Sequence, residues 1–252
     1  MISAATTKLF DYGDDETAFR SYLAIKYRVF VEELGWSALA DDQKAAMARV
    51  DAFDTISNFA LLSDDSGFPI GIVRATSLVR GFPYRELFKH HLSQPEFAEM
   101  FDYICSINAL AVLPEYRRRV YRDREHGWIG SAGQLLLLGI IRRMEQAGMD
   151  AAILTTGGIA AARLCRHLGF LAIDHPTVSP LRSEPLLNMA LVFGSDAHIR
   201  IQHECLMTPK LAVHQREGSA SLSRYFETCQ RSAIGQGSPD DLYVLQDAQR
   251  NA

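Results

Sequence analysis

The sequence lacks several features that would assign a function directly. Its four cysteines are scattered and form no C-x-x-C pair, so free thiols in a reducing cytoplasm are expected rather than a disulfide framework. The eight histidines show no metal-ligand spacing beyond the adjacent pair His90 and His91. No metal site is therefore predicted, and this pair is expected to be solvated. No apolar run approaches the roughly 20 residues that span a bilayer, so we expect a cytoplasmic protein without a transmembrane segment.

A strong charge of one sign is also missing. The formal net charge is −4, which gives no reason to expect a nucleic-acid partner. The opening residues, MISAATTKLFDYGDDE, have one lysine followed by acids, unlike a secretory signal. Apolar residues make up 48% of the 252 positions, so the chain is long and apolar enough to bury a sizeable core.

The order of predicted elements indicates an α/β protein with a mixed sheet. Apolar residues at spacings of three and four favour a helix over 17–34 with Thr17 as its N-cap. A strand is predicted over 104–113 and a long helix over 129–147. A later helix ends at Gly169, which fits a glycine just past a helix C-terminus.

These elements predict one domain over 1–194, followed by an extension over 195–252. The extension is expected to be partly helical, with SASLSRYFETCQRSA as one candidate helix. Its last residues are polar, which favours a flexible tail.

A cationic, glycine-bearing segment separates the predicted strand from the long helix. It contains Arg117, Arg118, Arg119, Arg122 and Arg124, followed by Gly127, Gly130 and Ser131. A helix N-terminus offers unpaired N–H groups and a partial positive charge, a combination that binds phosphate. Arginine side chains add charge and fork-shaped donors. The alternative is a solvated basic loop in which the glycines serve only for turning.

The same order of elements resembles the GNAT superfamily of N-acyltransferases. In that superfamily an Arg/Gln-x-x-Gly-x-Gly/Ala turn holds the pyrophosphate of coenzyme A or the phosphopantetheine of acyl carrier protein. Arg124, Gly127 and Gly130 come close to this turn, with one extra residue between the glycines. The resemblance implies a GNAT-like fold that uses acyl-CoA or acyl-phosphopantetheine as co-substrate and holds no cofactor permanently. The donor site that it implies consists of Val112, Arg117, Arg118, Arg119, Arg124, Gly127, Gly130 and Ser131.

A narrower resemblance lies in the first third of the chain. KYRVFVEELGW, then DAFD, then GIVRAT is similar to the front of the acyl-homoserine-lactone synthases, a GNAT branch, and to other long-chain N-acyltransferases such as the N-acyl amino acid synthases. The matching positions, which imply the substrate site, are Lys26, Phe30, Trp36, Asp51, Asp54 and Arg74. Ser106 and Ala109 stand where the lactone synthases have Glu and Arg, so an adenosylmethionine substrate and a lactone product are not expected.

The residues themselves also point to a buried network. Lys26 falls on the apolar stripe of its helix, and a buried ammonium costs several kcal/mol unless it is paired. We therefore expect a Lys26–Asp51–Arg74 network that also includes Asp54. The alternatives are that Lys26 reaches solvent from the edge of the stripe, that Phe30 and Trp36 are core residues, and that Arg74 occupies a solvent-facing strand position.

The GNAT resemblance implies direct transfer of an acyl group from a thioester to an amine. The central strand would offer backbone N–H groups to the thioester carbonyl, with the amides of Leu110 and Val112 as candidates. The candidates to take the ammonium proton are Ser106, Asn108 and a water, with Glu115 as a further one. Cys165 stands where many GNAT members carry a proton-donating Tyr, and it is expected to be a small buried side chain.

Two further expectations concern the acyl donor. The arginine-rich segment would suit an acidic acyl carrier protein. An aromatic stretch could wall an acyl pocket, although its side chains could equally be core: Phe82, Tyr84, Leu87, Phe88, Leu92, Phe97, Met100 and Phe101. The predicted function is N-acyltransfer, with a long acyl chain and a small amine acceptor such as an amino acid. The alternatives are an acetyl-CoA acetyltransferase and a non-catalytic acyl-CoA-binding protein.

Overall fold

The computed structural model describes residues 2–35, 50–175, 177–178, 185–195 and 216–234. These residues form two units. The first contains 2–35, 50–83 and 105–149, and the second contains 84–104 and the described residues from 150 onward. No helix in these ranges is long and apolar enough to cross a membrane.

The first unit contains six strands of a mixed sheet. They are β1 (Ile2–Asp11), β2 (Asn58–Asp64), β3 (Pro69–Ser77), β4 (Ile104–Val112), β5 (Val120–Asp123) and β6 (Ile129–Ser131). Their order in the sheet is β6-β5-β1-β2-β3-β4. The pair β1–β5 is parallel, and the other neighbouring pairs are antiparallel. The predicted mixed α/β sheet is therefore present.

Helix α1 (Glu16–Tyr27) starts and ends differently from its prediction. The N-cap is Asp15, not Thr17: its carboxylate accepts the Ala18 N–H at 2.8 Å, and a carboxylate also favours the positive end of a helix. After Tyr27 the chain continues as a π-helical segment, Arg28–Glu33, in which Leu34 N donates to Val29 O at 3.0 Å. Such wide turns are rare and often lie at functional sites.

The core of the first unit lies between α1 and one face of the sheet. Phe59 of β2 is its centre, with ring centroids 5.2 Å from Phe10 and 4.8 Å from Tyr22. Other members include Phe19, Ile25, Val29, Leu61, Ile72, Ala111 and Leu113. Phe30 and Ala109 are partly buried and pack against this cluster.

Helix α4 (Ala132–Gln146) packs closely on the sheet because glycines lie at the contacts. A Cβ on Gly139 would stand 2.8 Å from Thr7 Cγ2, and one on Gly71 would stand 2.8 Å from Leu136 Cδ1. A capping box begins the helix: Ser131 Oγ accepts Gln134 N at 3.4 Å, and Gln134 Oε1 accepts Ser131 N at 2.8 Å. The helix therefore begins at Ala132, three residues later than predicted.

Residues 120–131 form the β5–β6 hairpin, where the sequence predicted a turn and the first residues of the helix. Val120 pairs with Ser131, and Arg122 pairs with Ile129. Gly127, at φ 74°, lies in the hairpin turn. The buried Asp123 organises that turn by accepting N–H groups from Thr7 at 2.9 Å and from His126 at 2.8 Å.

The second unit contains four strands. They are β7 (Ala151–Gly157), β8 (Leu171–Ala172), β9 (Thr177–Val178) and β10 (Pro185–Val192), and β10 pairs antiparallel with the other three. Between β7 and β8 lies α5 (Ile159–His167). Gly169, at φ 86°, ends this helix as predicted: Phe170 N donates to Cys165 O at 3.1 Å, and Gly169 N donates to Arg166 O at 2.9 Å.

Three more helices belong to the second unit: α2 (Lys89–Leu92), α3 (Pro95–Met100) and α6 (Glu217–Ile234). The first two are short and lie within the aromatic stretch. Helix α6 corresponds to the candidate helix of the extension, and it packs on α3 through Phe226 and Phe97, whose ring centroids are 6.2 Å apart. The predicted flexible tail after residue 234 lies outside the described residues.

Candidate active site

The predicted Lys–Asp–Arg network is present in the first unit. Lys26 Nζ lies 2.8 Å from Asp51 Oδ2 and 3.1 Å from Asp54 Oδ2. Arg74 Nη1 lies 2.8 Å from Asp51 Oδ1 and also bonds Asp54 Oδ1. Two buried cations thus face two carboxylates, so the cluster carries no formal net charge. Lys26 and Arg74 do not reach solvent.

Asp54 is the more deeply buried of the two acids in this network. Its side chain is fully buried. Besides the two cations, it accepts the Tyr22 hydroxyl at 2.9 Å and the Asp51 backbone N–H at 2.9 Å. Burial raises the pKa of Tyr22 well above its ordinary value, so the hydroxyl keeps its proton and remains a donor to Asp54. Tyr22 was missed by the sequence analysis, although it lies four residues before Lys26 on the same helix face.

Asp51 holds the loop that precedes β2. Its Oδ1 accepts the backbone N–H groups of Phe53 at 2.8 Å and Asp54 at 2.9 Å. Burial raises the pKa of Asp51, but the charge of Arg74 and the hydrogen bond from Lys26 outweigh it and leave the pKa below its ordinary value. The side chain keeps 35% of its surface exposed. Of the two acids, Asp51 is therefore the one that solvent reaches.

The network continues into β4 through Arg74. Its Nε donates to Asn108 Oδ1 at 2.6 Å, and Asn108 Nδ2 donates to Ser106 O at 3.3 Å. Arg74 and Asn108 are also partners in the register of β3 and β4. The structure thus brings five of the predicted site residues into one cluster: Lys26, Asp51, Asp54, Arg74 and Asn108.

Strand β4 is interrupted directly after Asn108. Ile72 pairs with Ala111 and Arg74 pairs with Asn108, so Ala109 and Leu110 together face the single residue Val73. This two-against-one count is a β-bulge, which disrupts the ladder and redirects backbone groups. Ala109 has φ 54°, a conformation that a residue with a side chain rarely adopts. Strain of this kind persists where the surrounding structure imposes it, and it clusters at functional sites.

The arginines after β4 have different environments. Arg117 donates from Nε to Val112 O at 2.8 Å and forms a two-pronged ion pair with Glu33. It therefore links the end of β4 to the π-helical segment. Arg118 and Arg119 are exposed, and the Arg119 guanidinium lies over the Tyr116 ring, 4.9 Å from its centroid.

The hairpin separates residues that the sequence placed in one phosphate-binding turn. Because Val120 pairs with Ser131, the chain beside the start of α4 is the one that follows Arg119. Arg124 and Gly127 lie in the turn at the other end of the hairpin, so they do not directly precede the helix as expected. Gly130 lies in β6, where a Cβ would stand 3.0 Å from Gln134 Oε1. Ser131 is where it was predicted, at the N-terminus of the helix.

Other predicted residues belong to the core of one unit or the other. Cys165 is buried, and burial raises the pKa of its thiol to about 12, so it is an apolar packing residue as expected. Of the predicted aromatic wall, Phe82, Phe88, Phe97 and Met100 are buried, and Tyr84 is exposed. Trp36 lies outside the described residues.

Comparison with known proteins agrees with this architecture. Residues 25–124 match the family model of the acetyltransferase (GNAT) domain. No curated protein sequence matches the chain. TofI, solved in a ternary complex with an inhibitor and MTA, is 19% identical with a TM-score of 0.56, over 78% of this chain and 96% of that chain.

Two further solved structures are acyl-homoserine lactone synthases. BjaI, a CoA-dependent one solved with MTA, is 13% identical with a TM-score of 0.59, over 88% of this chain and all of that chain. LasI is 14% identical with a TM-score of 0.58, over 85% of this chain and all of that chain. These comparisons confirm the predicted GNAT resemblance, and the fold is the one that the lactone synthases share.

Proposed function

We propose that the chain is an N-acyltransferase that moves a long acyl group from a thioester to the amine of an amino acid or a similar small metabolite. The observation that carries the proposal is the bulge at Ala109–Leu110, which directly follows the partners Arg74 and Asn108. A bulge takes backbone N–H groups out of the ladder. Beside a polar cluster, such an N–H group can donate to a developing oxyanion.

The reaction needs few side chains. The amine nitrogen attacks the thioester carbonyl carbon, the C–N bond forms, and the C–S bond then breaks as the thiolate leaves. We assign the Leu110 N–H to the oxyanion, with Val112 as the second candidate; removing one such donor typically costs about 3–4 kcal/mol of transition-state stabilisation. The ammonium form of the amine first loses one proton to solvent through a water held by Asn108 and Ser106, and the second nitrogen proton ends on the departing thiolate, which leaves as a thiol.

The start of α4 is the proposed donor site. The amides of Ala132 and Gly133 lie in the first helical turn, whose N–H groups have no intrahelical acceptor, and Ser131 begins that turn. The exposed Arg118 and Arg119 precede β5, whose first residue pairs with Ser131. A phosphate of coenzyme A or of acyl-phosphopantetheine matches this chemistry. BjaI is a CoA-dependent acyl-homoserine lactone synthase, which supports coenzyme A as a donor carrier.

The acceptor side rests on the ionic network. Arg74 holds Asn108 directly, and Asp54, which is paired with Lys26, holds Arg74, so the residue before the bulge has a rigid support. Ser106 and Ala109 contribute no carboxylate or guanidinium, unlike the Glu and Arg of the lactone synthases. This difference favours an acceptor without the adenosylmethionine sulfonium.

The test is a matrix of acyl thioesters against amines. Purified protein is mixed with acyl-CoA and acyl carrier protein donors from acetyl to palmitoyl and with a pool of amino acids. Free thiol and product mass are then measured. We expect amide product from long-chain donors. Product from acetyl-CoA alone would make the chain an acetyltransferase, and thermal stabilisation by thioesters without thiol release would make it a binding protein.

The donor site is tested in the same assay with a paired charge reversal. Arg118→Glu combined with Arg119→Glu should raise the donor KM at least about fivefold at low salt, and less at high salt, because screening weakens the same attraction. Arg20→Glu, which changes an exposed arginine on α1, is the control. An unchanged donor KM in the double variant would contradict the assignment.

A further inference from the structure

Three side chains of the second unit, none of them part of the proposed acyltransfer site, converge in one cluster. His90 Nε2 lies 3.0 Å from Asp174 Oδ1, and His91 Nε2 lies 3.0 Å from Asp174 Oδ2. The ligand atoms of the three residues all lie within 4.8 Å of one another. The two histidines come from α2, and Asp174 follows β8. The sequence led us to expect a solvated histidine pair, and the structure instead places both histidines against a carboxylate.

His91 is the central member of this cluster. Its side chain is 1% exposed. Within the described residues, His91 Nε2 has no hydrogen-bond partner, although Asp174 Oδ2 is close enough for one. The two groups face each other as an ion pair at 3.0 Å. A buried polar atom in this position implies either an energetic penalty or an additional ligand.

The surroundings of the cluster hold its members in place. His91 Nδ1 lies 2.6 Å from the Tyr225 hydroxyl. Asn188 Nδ2 donates to Asp174 Oδ2 at 2.8 Å and to Leu87 O at 3.1 Å. A histidine that binds a metal through one ring nitrogen usually makes a hydrogen bond through the other, and metal-bound carboxylates are in turn hydrogen-bonded. Both features are present.

We infer that His90, His91 and Asp174 bind one divalent transition-metal ion, with Zn²⁺ as the best match. Imidazole nitrogen and carboxylate oxygen are both zinc ligands, and three protein ligands leave a fourth position for water. The His90 side chain is 61% exposed, so the ion can enter from solvent. Shifts of less than about 2 Å would bring the three atoms to tetrahedral spacing, given metal–ligand bonds of roughly 2.0–2.2 Å.

The ion would link two distant stretches of the chain. His90 and His91 belong to the segment 84–104, and Asp174 belongs to the stretch that begins at residue 150. Tyr225 adds a supporting contact from α6. Because binding to the folded state alone raises stability, the ion would stabilise the second unit without taking part in acyl transfer.

The experiment measures metal binding by protein that carries no histidine tag. Chelator-treated protein is titrated with Zn²⁺ by calorimetry, and Co²⁺ is added separately because its visible absorption reports tetrahedral coordination. Thermal unfolding is followed with Zn²⁺ and with Mg²⁺. We expect one Zn²⁺ per chain, a tetrahedral Co²⁺ spectrum, and a higher Tm with Zn²⁺ but not with Mg²⁺.

Three variants distinguish this site from adventitious binding. His90→Ala and Asp174→Asn should each weaken Zn²⁺ binding at least about tenfold, whereas His167→Ala, an exposed histidine of the same unit, should bind like wild type. His90 is exposed, so that variant is expected to fold even if Asp174→Asn does not. Absence of stoichiometric Zn²⁺, or equal affinity in His90→Ala and wild type, would leave only an ion pair and overturn the inference. Either result is independent of acyltransferase activity.

Discussion

At the scale of single residues, the most unusual feature is the buried pair of cations. Lys26 and Arg74 are 5% and 4% exposed, and neither would be stable there without Asp51 and Asp54. A buried ion pair contributes little net stability compared with apolar residues, but removing one partner leaves an uncompensated charge. Replacing one charged residue of the network should therefore destabilise the fold more than replacing all of them with apolar residues.

The first prediction compares the two acids of this network. Asp54→Asn should lower the free energy of unfolding by about 3–5 kcal/mol, because an amide nitrogen must then face either Arg74 and Tyr22 or Lys26 and an N–H group. Asp51→Asn should cost about 1 kcal/mol, because it is partly exposed and its Oδ1 can still accept. Urea denaturation of both variants measures the difference. If the two variants lost equal free energy of unfolding, the difference in burial between Asp54 and Asp51 would not determine the cost.

Residue-scale reasoning from the sequence identified much of this network but not all of it. Lys26 lies on an apolar stripe, so it required an acidic partner, and acids are present in a nearby loop. The same reasoning applies to any charged residue on the apolar face of a helix. Tyr22 was missed because a tyrosine on an apolar stripe is indistinguishable from an ordinary core residue until its hydroxyl has an acceptor. The His90–His91 pair was dismissed because its third partner, Asp174, is far away in sequence.

At the scale of elements, the bulge in β4 is the feature that matters for chemistry. The left-handed conformation of Ala109 is stable only because neighbouring strands and the core hold it. Glycine would relieve the strain, whereas a β-branched side chain would add to it. The side chain of Ala109 also packs against the core cluster, so its size matters as well as its backbone angle.

The second prediction follows from that conformation. Ala109→Gly should keep the fold and most of kcat, because glycine adopts positive φ without penalty. Ala109→Val should destabilise by at least about 1–2 kcal/mol and lower kcat more than it raises the donor KM, because the bulge can no longer orient Leu110. Unfolding curves and steady-state kinetics of the pair are the measurements. A valine variant with wild-type kcat would argue against a catalytic amide at this position.

The bulge and the β5–β6 hairpin are the two features of the elements that the sequence did not predict. Glycine usually marks a positive φ, and position 109 is an alanine, so nothing in the sequence indicated the break. The hairpin was read as a loop because its strands are short and its arginines suggested a basic turn. The alternation of exposed Arg122 with buried Tyr121 and Asp123 was a strand signal, although four residues are too few to be decisive. By contrast, the end of α5 was predictable because Gly169 is a local signal.

At the scale of the whole molecule, the pH dependence of stability combines opposing groups. Asp51 and Asp123 have lowered pKa values: burial raises them, but it is outweighed by Arg74 and Lys26 for Asp51 and by the Thr7 and His126 hydrogen bonds for Asp123. The ionised forms of these two acids add to the free energy of unfolding above about pH 4, and this stabilisation is lost as the pH falls. Burial raises the pKa of Glu145 to about 7, with Arg142 opposing the shift. The ionisation of this group therefore lowers the free energy of unfolding as the pH rises.

The third prediction isolates Glu145. From pH 4.5, its ordinary pKa, to about pH 7 the folded chain retains a proton that the unfolded chain releases, so wild-type stability falls as the pH rises through this window. Glu145→Gln removes that penalty. It should match wild type near pH 4 and exceed it by about 3 kcal/mol at pH 8.

Thermal unfolding from pH 4 to pH 8 tests this, with Glu227→Gln as the exposed-residue control. A variant whose advantage does not grow with pH would contradict a raised pKa. Because Glu145 lies near the C-terminal end of α4, where the helix dipole disfavours a negative charge, the gain is expected even where the local packing relaxes.

The parallel pairing of β1 with β5 has a consequence for how the chain folds. β1 is the first strand in sequence, yet Ile2 pairs with Val120 on one side while β2 covers the other. Closing so long a loop carries an entropic penalty before any ladder bond compensates for it, and a high average separation of contacting residues slows folding. During synthesis one flank of the first strand stays uncovered until residues 120–123 have left the ribosome, and until then that flank is an open template for mispairing.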